Sequence, residues 1–311
     1  MHIEKRKVGK RTKYYLSHSF REGSKVHKIR KFLGSDLSPE ILEDRRKKAE
    51  HLIIEEIHRY KIIKDPLQIE LSKTDLDFVK RLEAKIPVKI MHLSEKQWLD
   101  FSESFTYNTN AIEGSKLTDK EVKEVIEENK WPEKSKADIA EAYGVKEALD
   151  FIRTTKEHIS LKLLKEIHKI VFKNSKKFAG EFRNPGEEVV VANQLGQIVH
   201  EGAPQSRIIA LLQELIDWYI SNKDKYPALI LAAVVHNQFE NIHPFADGNG
   251  RVGRIILNNI LLKHNLPPIN IELRNRYEYY ASLHAYEKNH DLRPTLELFI
   301  KEYKHMTSQL G

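Results

Sequence analysis

Apolar residues recur at helical spacing along most of this chain. Between Ser38 and Lys61 they mark one face of a predicted helix, and Pro39 occupies its first turn, where a missing N–H is tolerated. That face consists of Ile41, Leu42, Ala49, Leu52, Ile53 and Ile57. Similar spacing predicts further helices at about 74–84, 118–129, 136–155, 160–173, 226–242, 251–263, from 275 onward and at 294–306. The pattern therefore predicts a mainly α-helical fold.

Two segments depart from helical spacing. Polar and apolar residues alternate in 13–17 and in 25–30, on either side of Gly23, as in two strands joined by a glycine turn. A similar pattern flanks 193–196, within the stretch 182–204. The sequence therefore predicts two β-hairpins, one near the N-terminus and one inside the helical region.

Two capping boxes mark the starts of helices. Ser94 is followed three residues later by Gln97, and Thr118 by Glu121, the spacing at which side chains satisfy the first backbone N–H groups of a helix. The apolar stripe of the first of these helices consists of Trp98, Phe101 and Phe105.

This first helix is expected to end at Gly114, which places Glu113 in its last turn. A carboxylate there opposes the helix dipole by a few tenths of a kcal/mol. A cationic partner for Glu113 would explain its presence.

The residues with the most evident chemistry lie in 243–254, which reads His-Pro-Phe-Ala-Asp-Gly-Asn-Gly-Arg-Val-Gly-Arg. Pro244 disfavours helical geometry at His243, so the preceding helix should end there and the imidazole should project from a turn. Gly248 and Gly250 tolerate positive φ, and we expect a loop whose N–H groups converge on an anion.

A second helix should start after this loop, with phosphate at its N-terminus. Arg251 and Arg254 are three residues apart, so we expect both to reach a polyphosphate from one face. Asp247 offers a hard oxygen to Mg²⁺. These features predict a site for nucleotide phosphates.

Residues 243–254 match in full the signature His-Pro-Phe-x-Asp-Gly-Asn-Gly-Arg-x-x-Arg of the Fic (Fido) family, which the chain therefore resembles. The resemblance implies an enzyme that uses Mg²⁺ to move AMP from ATP to a hydroxyl side chain of a target protein, releasing pyrophosphate. The glycines Gly248 and Gly250 are intact, which favours AMP transfer over phosphate or phosphocholine transfer. ATP is the family's usual nucleotide.

The same resemblance assigns roles by position. His243 is expected to be the general base, a task that suits a group titrating near neutrality. Asp247 is expected to bind Mg²⁺ and Arg254 to clamp the γ-phosphate. The remaining nucleotide-binding positions are Gly248, Asn249, Gly250 and Arg251.

Thr109 to Gly114 fit the family's inhibitory pattern of Ser or Thr, three residues, Glu, then Gly or Asn, as in class II members with an N-terminal inhibitory helix. By this resemblance Glu113 holds Arg254 and keeps the enzyme inactive. Inhibiting about 99% of molecules needs about 2.7 kcal/mol. An exposed ion pair contributes only about 0 to 1 kcal/mol, so we expect a bidentate, partly buried pair.

The hairpin within 182–204 resembles the family's flap, which aligns a target segment as an added strand. Its target-facing edge is expected at Ile198, Val199 and His200. Tyr280 and Tyr279 resemble family tyrosines that line the adenine or ribose. Glu287 stands where the family often has Asn, which puts one nucleotide contact in question.

Composition narrows the class of protein. The 311 residues are 40% hydrophobic and contain no cysteine, which excludes disulfides and Cys-ligated zinc and suits a reducing compartment. His168, His200 and His236 are interpreted as packing or surface residues. No signal peptide or apolar run of about 18 residues is present, so we expect a cytoplasmic protein without a membrane contact.

The net charge of +7 is concentrated at the N-terminus. Residues 1–31 hold eleven Lys or Arg against two Glu, a net charge of +9, so the remainder carries −2. A basic hairpin with Tyr14 and Tyr15 could contact nucleic acid or an acidic partner. A solvated face is the commoner interpretation of such charge and is the one preferred here.

We therefore predict a Fic-type helical bundle with a β-hairpin flap. The predicted segments are a basic hairpin (1–36), a helical extension (37–90), an inhibitory helix (91–117) and a catalytic core (118–305). By resemblance a homo-oligomer is expected, and the candidate targets are an unidentified protein and the chain itself. Two alternatives stay open: removal of AMP at the same site, and a nucleotide-binding regulatory module that contacts nucleic acid.

Overall fold

Helices dominate the structure, as the sequence predicts. The computed structural model describes residues 1–9, 11–22, 25–62, 71–85, 93–184, 186–187, 190–192 and 198–310. Within these residues the strands are β1 (His2–Val8), β2 (Arg11–Glu22), β3 (Lys25–Ser35), β4 (Val190–Ala192) and β5 (Ile198–Glu201). The helices are α1 (Pro39–Ile62), α2 (Lys73–Lys85), α3 (Glu95–Ile112), α4 (Asp119–Glu128), α5 (Lys136–Thr154), α6 (Leu161–Phe172), α7 (Ile208–Asn222), α8 (Ala228–Ile242), α9 (Asn249–Lys263), α10 (Arg276–Asn289) and α11 (Arg293–Leu310).

The chain divides into two units, Met1–Asp65 and Pro66–Gly311. The predicted extension at 37–90 spans this division, since α1 lies in the first unit and α2 in the second. The segment boundaries drawn from the sequence stay predictions.

The N-terminal unit is a three-stranded antiparallel sheet in the order β1-β2-β3, packed on α1. The predicted hairpin is confirmed as β2 and β3. The sequence does not predict β1, because its seven residues contain only two apolar side chains, Ile3 and Val8. Pairing with β2 sets the register of β1. Ile3 lies opposite Leu16, whose side chain is in the core.

The C-terminal unit is built around α8 and α9, which pack against each other. Every residue of α8 except Asn241 is buried, the apolar run 228–235 as well as the polar residues His236, Asn237, Gln238 and Glu240. Helices α5 and α6 pack together, and α5 also contacts α9. The connection between α8 and α9 therefore lies on a rigid, close-packed support.

Local signals set several helix ends. Both predicted capping boxes are present, Ser94 with Gln97 at the start of α3 and Thr118 with Glu121 at the start of α4. Gly114 follows α3 with φ of 95°, a conformation that favours glycine. None of the described helices is long and apolar enough to cross a membrane.

Helices α5 and α6 approach each other closely at Gly144. A Cβ at this position would lie less than 3.0 Å from the backbone of Val171. We expect Gly144→Ala to lower the free energy of unfolding by about 1–3 kcal/mol, because overpacking outweighs the helix propensity of alanine, about 1 kcal/mol.

Chemical denaturation of the full chain would measure this effect. Ala140→Gly in the same helix is the control and should cost only the propensity difference, about 1 kcal/mol. A Gly144→Ala protein as stable as the parent would contradict the close approach.

Candidate active site

The residues 243–254 form the connection between α8 and α9 and the first turns of α9. Helix α8 ends at Ile242, and His243 adopts φ 51° and ψ 61°, the left-handed conformation, as expected for a helix that ends before Pro244. The Nδ1 atom of His243 lies 3.2 Å from the carbonyl oxygen of Glu240. Because a carbonyl oxygen only accepts hydrogen bonds, Nδ1 carries the proton and Nε2 is the basic nitrogen of the neutral ring.

Buried side chains hold this connection in place. Phe245 is fully buried and stacks on His168 with ring centroids 3.9 Å apart. The N–H of Gly180 donates to His168 Nδ1 at 2.7 Å, so His168 Nε2 bears the proton and donates to the carbonyl oxygen of Asp247 at 3.1 Å. Burial lowers the pKa of His168 to about 4, which keeps the ring neutral. His168 is therefore a packing residue, as the sequence interpretation has it.

The side chain of Asn249 binds the connection itself. Its Oδ1 accepts from the N–H of Phe245 at 2.9 Å, and its Nδ2 donates to the carbonyl oxygen of Phe245 at 2.9 Å. Helix α9 has no side-chain cap at Gly248. The backbone N–H groups of the first turn of α9 are therefore available to an anion, and the amide of Asn249 holds the preceding loop in place.

The two glycines are needed for different reasons. Gly248 has φ of 82°, and a Cβ there would collide with the ring of Phe172. Gly250 lies inside α9, so the expectation of positive φ at this residue is wrong. A Cβ on Gly250 would lie less than 3.0 Å from Glu113 Oε1, so space rather than conformation excludes a side chain.

The arginines of the motif contact different helices, so they do not form the shared face that their spacing suggested. Arg251 is buried, its Nη1 forms an ion pair with Glu141 of α5, and its guanidinium lies 4.6 Å from the ring centroid of Phe172. Its Nη2 is 3.7 Å from Asp247 Oδ1. Arg254 extends toward α3 and α10 instead.

Asp247 is half-exposed and lies beside Lys176, whose Nζ is 2.9 Å from Asp247 Oδ2. Burial alone would raise the pKa of Asp247, but the hydrogen bond from Lys176 and the charge of Arg251 lower it below its ordinary value. The carboxylate is therefore charged at neutral pH, as a ligand for a hard cation must be.

Arg254 has a side chain only 2% exposed and is bound by α3 and α10. Its Nη2 donates to Glu113 Oε1 at 2.7 Å, and its Nε donates to Thr109 Oγ1 at 2.8 Å. The Thr109 carbonyl accepts from Nη2 at 3.1 Å, and the Tyr279 hydroxyl accepts from Nη1 at 3.2 Å. The structure thus brings Glu113 and Thr109 to Arg254, but with one hydrogen bond to Glu113 rather than the expected bidentate pair.

The predicted tyrosines have unequal access to a ligand. Tyr279 is 1% exposed and binds Arg254, so it does not line an open pocket. Tyr280 is 45% exposed, and its hydroxyl donates to the carbonyl oxygen of Ile112 at 3.2 Å, next to Glu113. Of the two tyrosines, Tyr280 is the one whose side chain reaches solvent, and its contact with a nucleotide stays a prediction. The Oε2 atom of Glu287 lies 4.0 Å from His284 Nδ1.

The predicted flap is an antiparallel hairpin of β4 and β5, with Val191 opposite His200 and Ala192 opposite Ile198. The turn at 193–197 and the side chains of Ile198, Val199 and His200 lie outside the described parts of the chain. The backbone of β5 runs through all three of these residues.

Arg183 ties the base of the flap to the motif, a role that sequence reasoning missed. This buried side chain donates from Nε to the carbonyl oxygen of His243 at 2.8 Å and from Nη1 to that of Glu187 at 2.9 Å. Its Nη2 donates to the carbonyl of Ala203, whose own N–H donates to Ile242 at 3.1 Å. The flap and His243 therefore share one anchor.

Three acidic or basic groups of the site also escaped the sequence analysis. Glu141 and Lys176 are distant from the motif along the sequence, and nothing in their local sequence marks them as part of the site. Glu240 carries a usable signal, since it is an acidic residue in α8, a helix that is buried along nearly its whole length. Burial raises its pKa to about 8 despite the opposing charge of Arg254, and its Oε1 has no hydrogen-bond partner among the described residues.

Residues 158–261 match the Fic/DOC family. The chain is 31% identical over 207 residues to protein adenylyltransferase fic-1 of Caenorhabditis briggsae, covering 63% of this chain and 39% of that protein. It is 31% identical over 199 residues to protein adenylyltransferase Fic of Nematostella vectensis, covering 60% of this chain and 44% of that protein. The chain thus spans less than half the length of these relatives.

Solved structures show the same fold. Fic-1 from Caenorhabditis elegans superposes with a TM-score of 0.63 at 24% identity, covering 88% of this chain and 77% of that one. A Fic domain containing signaling protein from Bacteroides thetaiotaomicron superposes with a TM-score of 0.61 at 25% identity, covering 74% of this chain and 91% of that one. The motif 243–254 lies within the residues 158–261 that match the Fic/DOC family, and the chain has the fold of these solved Fic proteins.

Proposed function

We propose that this chain is a Mg²⁺-dependent protein adenylyltransferase that Glu113 holds inactive. The observation that carries the activity is the meeting of three groups in one rigid connection: the basic nitrogen of His243, the carboxylate of Asp247 and the uncapped N-terminus of α9. The similarity to proteins named adenylyltransferases supports this proposal. The target protein, a homo-oligomeric state and the cytoplasmic location stay predictions.

The transfer can be written from these groups. His243 Nε2 takes the proton of a target hydroxyl, whose oxygen forms a bond to the α-phosphorus of ATP. The bond from that phosphorus to the oxygen bridging to the β-phosphate breaks, and pyrophosphate leaves with the bonding electrons. The N–H groups of α9 orient the phosphates through the reaction, and Arg254 would hold the γ-phosphate.

A hard divalent cation fits the site, because the Asp247 carboxylate is charged and half-exposed. Mg²⁺ bound there would neutralise charge on the phosphates. The flap would align the target backbone along β5, and Arg183 would hold that strand in register with His243.

The inhibition follows from the position of Glu113 between two helices. Glu113 is the C-terminal cap of α3, where its charge is unfavourable, but it lies against the first turn of α9, where a helix dipole favours an anion. It therefore occupies the place that the resemblance gives to the γ-phosphate and also engages Arg254. The contact with α9 was not part of the sequence-based expectation.

The free energy of the hydrogen bond between Glu113 and Arg254 is large enough for effective inhibition. A single charge-assisted hydrogen bond contributes about 1.5–3 kcal/mol, and about 2.7 kcal/mol keeps about 99% of molecules in the inhibited state. One hydrogen bond suffices here because Arg254 is buried, and its bonds to Thr109 and Tyr279 hold it toward Glu113.

Substituting Glu113 should release the enzyme. We expect Glu113→Gly to raise the labelling of protein by α-labelled ATP by up to roughly 100-fold, the factor that about 2.7 kcal/mol represents. The labelling would be measured on the chain itself and on host lysate, with Mg²⁺ present. Adding His243→Ala to this variant should abolish it.

Glu95→Gly is the matched control, because Glu95 lies on the same helix and pairs with Arg153 at the surface. It should leave labelling unchanged. If Glu113→Gly binds ATP and labels no protein, the adenylyltransferase proposal fails for these substrates.

Removal of AMP from a modified target is a second candidate, favoured by the partial exposure of Glu113. Its side chain is 29% exposed while Oε1 binds Arg254, so the carboxylate can also orient a water molecule. Release of AMP from a modified target that persists after Glu113→Gln would refute this role.

Lys176 should compete with the divalent cation for Asp247. We expect Lys176→Met to tighten nucleotide-free Mn²⁺ binding by roughly tenfold, about 1.4 kcal/mol, because the ammonium group 2.9 Å from Oδ2 is removed. Electron paramagnetic resonance of free Mn²⁺ measures this binding without turnover.

Lys177→Met removes the same charge from the neighbouring exposed residue and should change the affinity less than about twofold. Equal Mn²⁺ affinities for the parent and Lys176→Met would show that Lys176 does not occupy the cation position.

A further inference from the structure

The N-terminal sheet has two faces of different chemistry. One face packs on α1 through Leu16, Ile29 and Leu33. On the other face, cross-strand pairing places Glu4 opposite Tyr15. Tyr15 is in turn opposite Phe32. Side chains opposite each other share a face, so β1, β2 and β3 each contribute to this second surface.

We name this surface the aromatic–cationic face and define it by Glu4, Arg6, Tyr15, Lys28, Arg30 and Phe32. It separates the two tyrosines that the sequence grouped together. Tyr14 packs toward the core of the unit, whereas Tyr15 lies on the opposite side. Of the two tyrosines, Tyr15 is the one that lies on the aromatic–cationic face.

The centre of the aromatic–cationic face is a pair of rings. The centroids of Tyr15 and Phe32 are 5.2 Å apart at an interplanar angle of 50°. Phe32 is 57% exposed, although Leu16, Ile29 and Leu33 already supply the core. Phe32 therefore presents a phenyl ring to solvent beside Tyr15, and a flat ligand can stack on such a ring.

Permanent cations surround the rings. The Arg30 guanidinium lies 4.5 Å from the centroid of Tyr15, and that of Arg6 lies 6.0 Å away. Both arginines are also within 4.0 Å of Glu4, at 3.6 and 3.8 Å, and Lys28 forms a further ion pair with the same carboxylate. Three basic side chains around one carboxylate leave this patch with a net positive charge.

The complementary ligand carries repeated negative charge and exposed flat rings. Residues 1–31 have a net charge of +9, which favours a polyanion over a neutral partner. Single strands expose base faces that stack on aromatic side chains and arginine planes, whereas a duplex hides them. We propose that the aromatic–cationic face binds single-stranded nucleic acid through stacking on Phe32 and Tyr15 and through phosphate contacts with Arg6, Lys28 and Arg30.

An acidic protein would match the charge of this face but would not use the exposed rings. A nucleic-acid duplex would match the charge and the shape of the sheet, but it would not stack bases on the rings. Both are outcomes of the test. The proposal is independent of the transfer chemistry, because it concerns only residues of the N-terminal unit.

The test uses the full chain and fluorescein-labelled oligonucleotides of about 20 nucleotides, with anisotropy followed from about 50 to 200 mM salt. We expect single-stranded RNA or DNA to bind more tightly than the duplex of the same sequence, and separate RNA and DNA arms show which sugar is preferred. Phe32→Ala should weaken binding roughly tenfold and leave the salt dependence unchanged. Arg30→Gln should reduce the salt slope by about one.

Two controls match these variants. Arg46→Gln removes a charge from α1, where Arg46 pairs with Glu43 and Glu50, and should leave the salt slope unchanged. Trp131→Ala removes an exposed aromatic ring from the C-terminal unit and should not weaken binding. Thermal unfolding of each variant reports that the fold is intact, as expected for exposed positions.

Several results would overturn the proposal. These are the absence of binding at about 50 mM salt, tighter binding of the duplex, and an unchanged affinity of Phe32→Ala. Displacement of the oligonucleotide by poly-glutamate as readily as by unlabelled single strand would identify an acidic protein as the better ligand.

Discussion

Burial of the Arg254 guanidinium is the constraint on which the site depends. A guanidinium stays charged in proteins, and a buried charge is costly unless hydrogen bonds and an opposite charge compensate it. Thr109 and Tyr279 supply neutral acceptors, and Glu113 supplies the charge. The nearby Glu240 does not, because burial raises its pKa to about 8 and it is mostly protonated at neutral pH. An anion must therefore replace Glu113 whenever α3 releases Arg254.

This requirement links inhibition to nucleotide binding in the proposed mechanism. The carboxylate of Glu113 and a terminal phosphate are alternative anions for the same two elements, Arg254 and the first turn of α9. Gly250 makes this possible, since any side chain there would collide with Glu113. The inhibited and active states are then two ways of satisfying one buried cation.

Side chains that form hydrogen bonds with backbone groups hold the rest of the connection between α8 and α9. His168 and Asn249 both bind backbone groups of the loop, and Arg183 donates to the carbonyl groups of Glu187, Ala203, Ile242 and His243. Such pre-organisation suits a transfer in which orientation and charge neutralisation supply most of the rate. The N-terminal unit has its own core and its own exposed face, so point substitutions can test the binding proposed for it separately from the proposed transfer reaction.

What the sequence determined by itself is local. The capping boxes at Ser94 and Thr118 and the end of α8 at His243 follow from hydrogen bonds and steric contacts among near neighbours, and the motif supplied the family resemblance. Tertiary structure decided which groups meet: Lys176 with Asp247, and the Glu113 carboxylate with the first turn of α9. It also assigned β1 to the sheet and separated Tyr14 from Tyr15. These outcomes depend on which elements pack together, and residue spacing within one element does not encode contacts such as that of Glu113 with Arg254, 141 residues away.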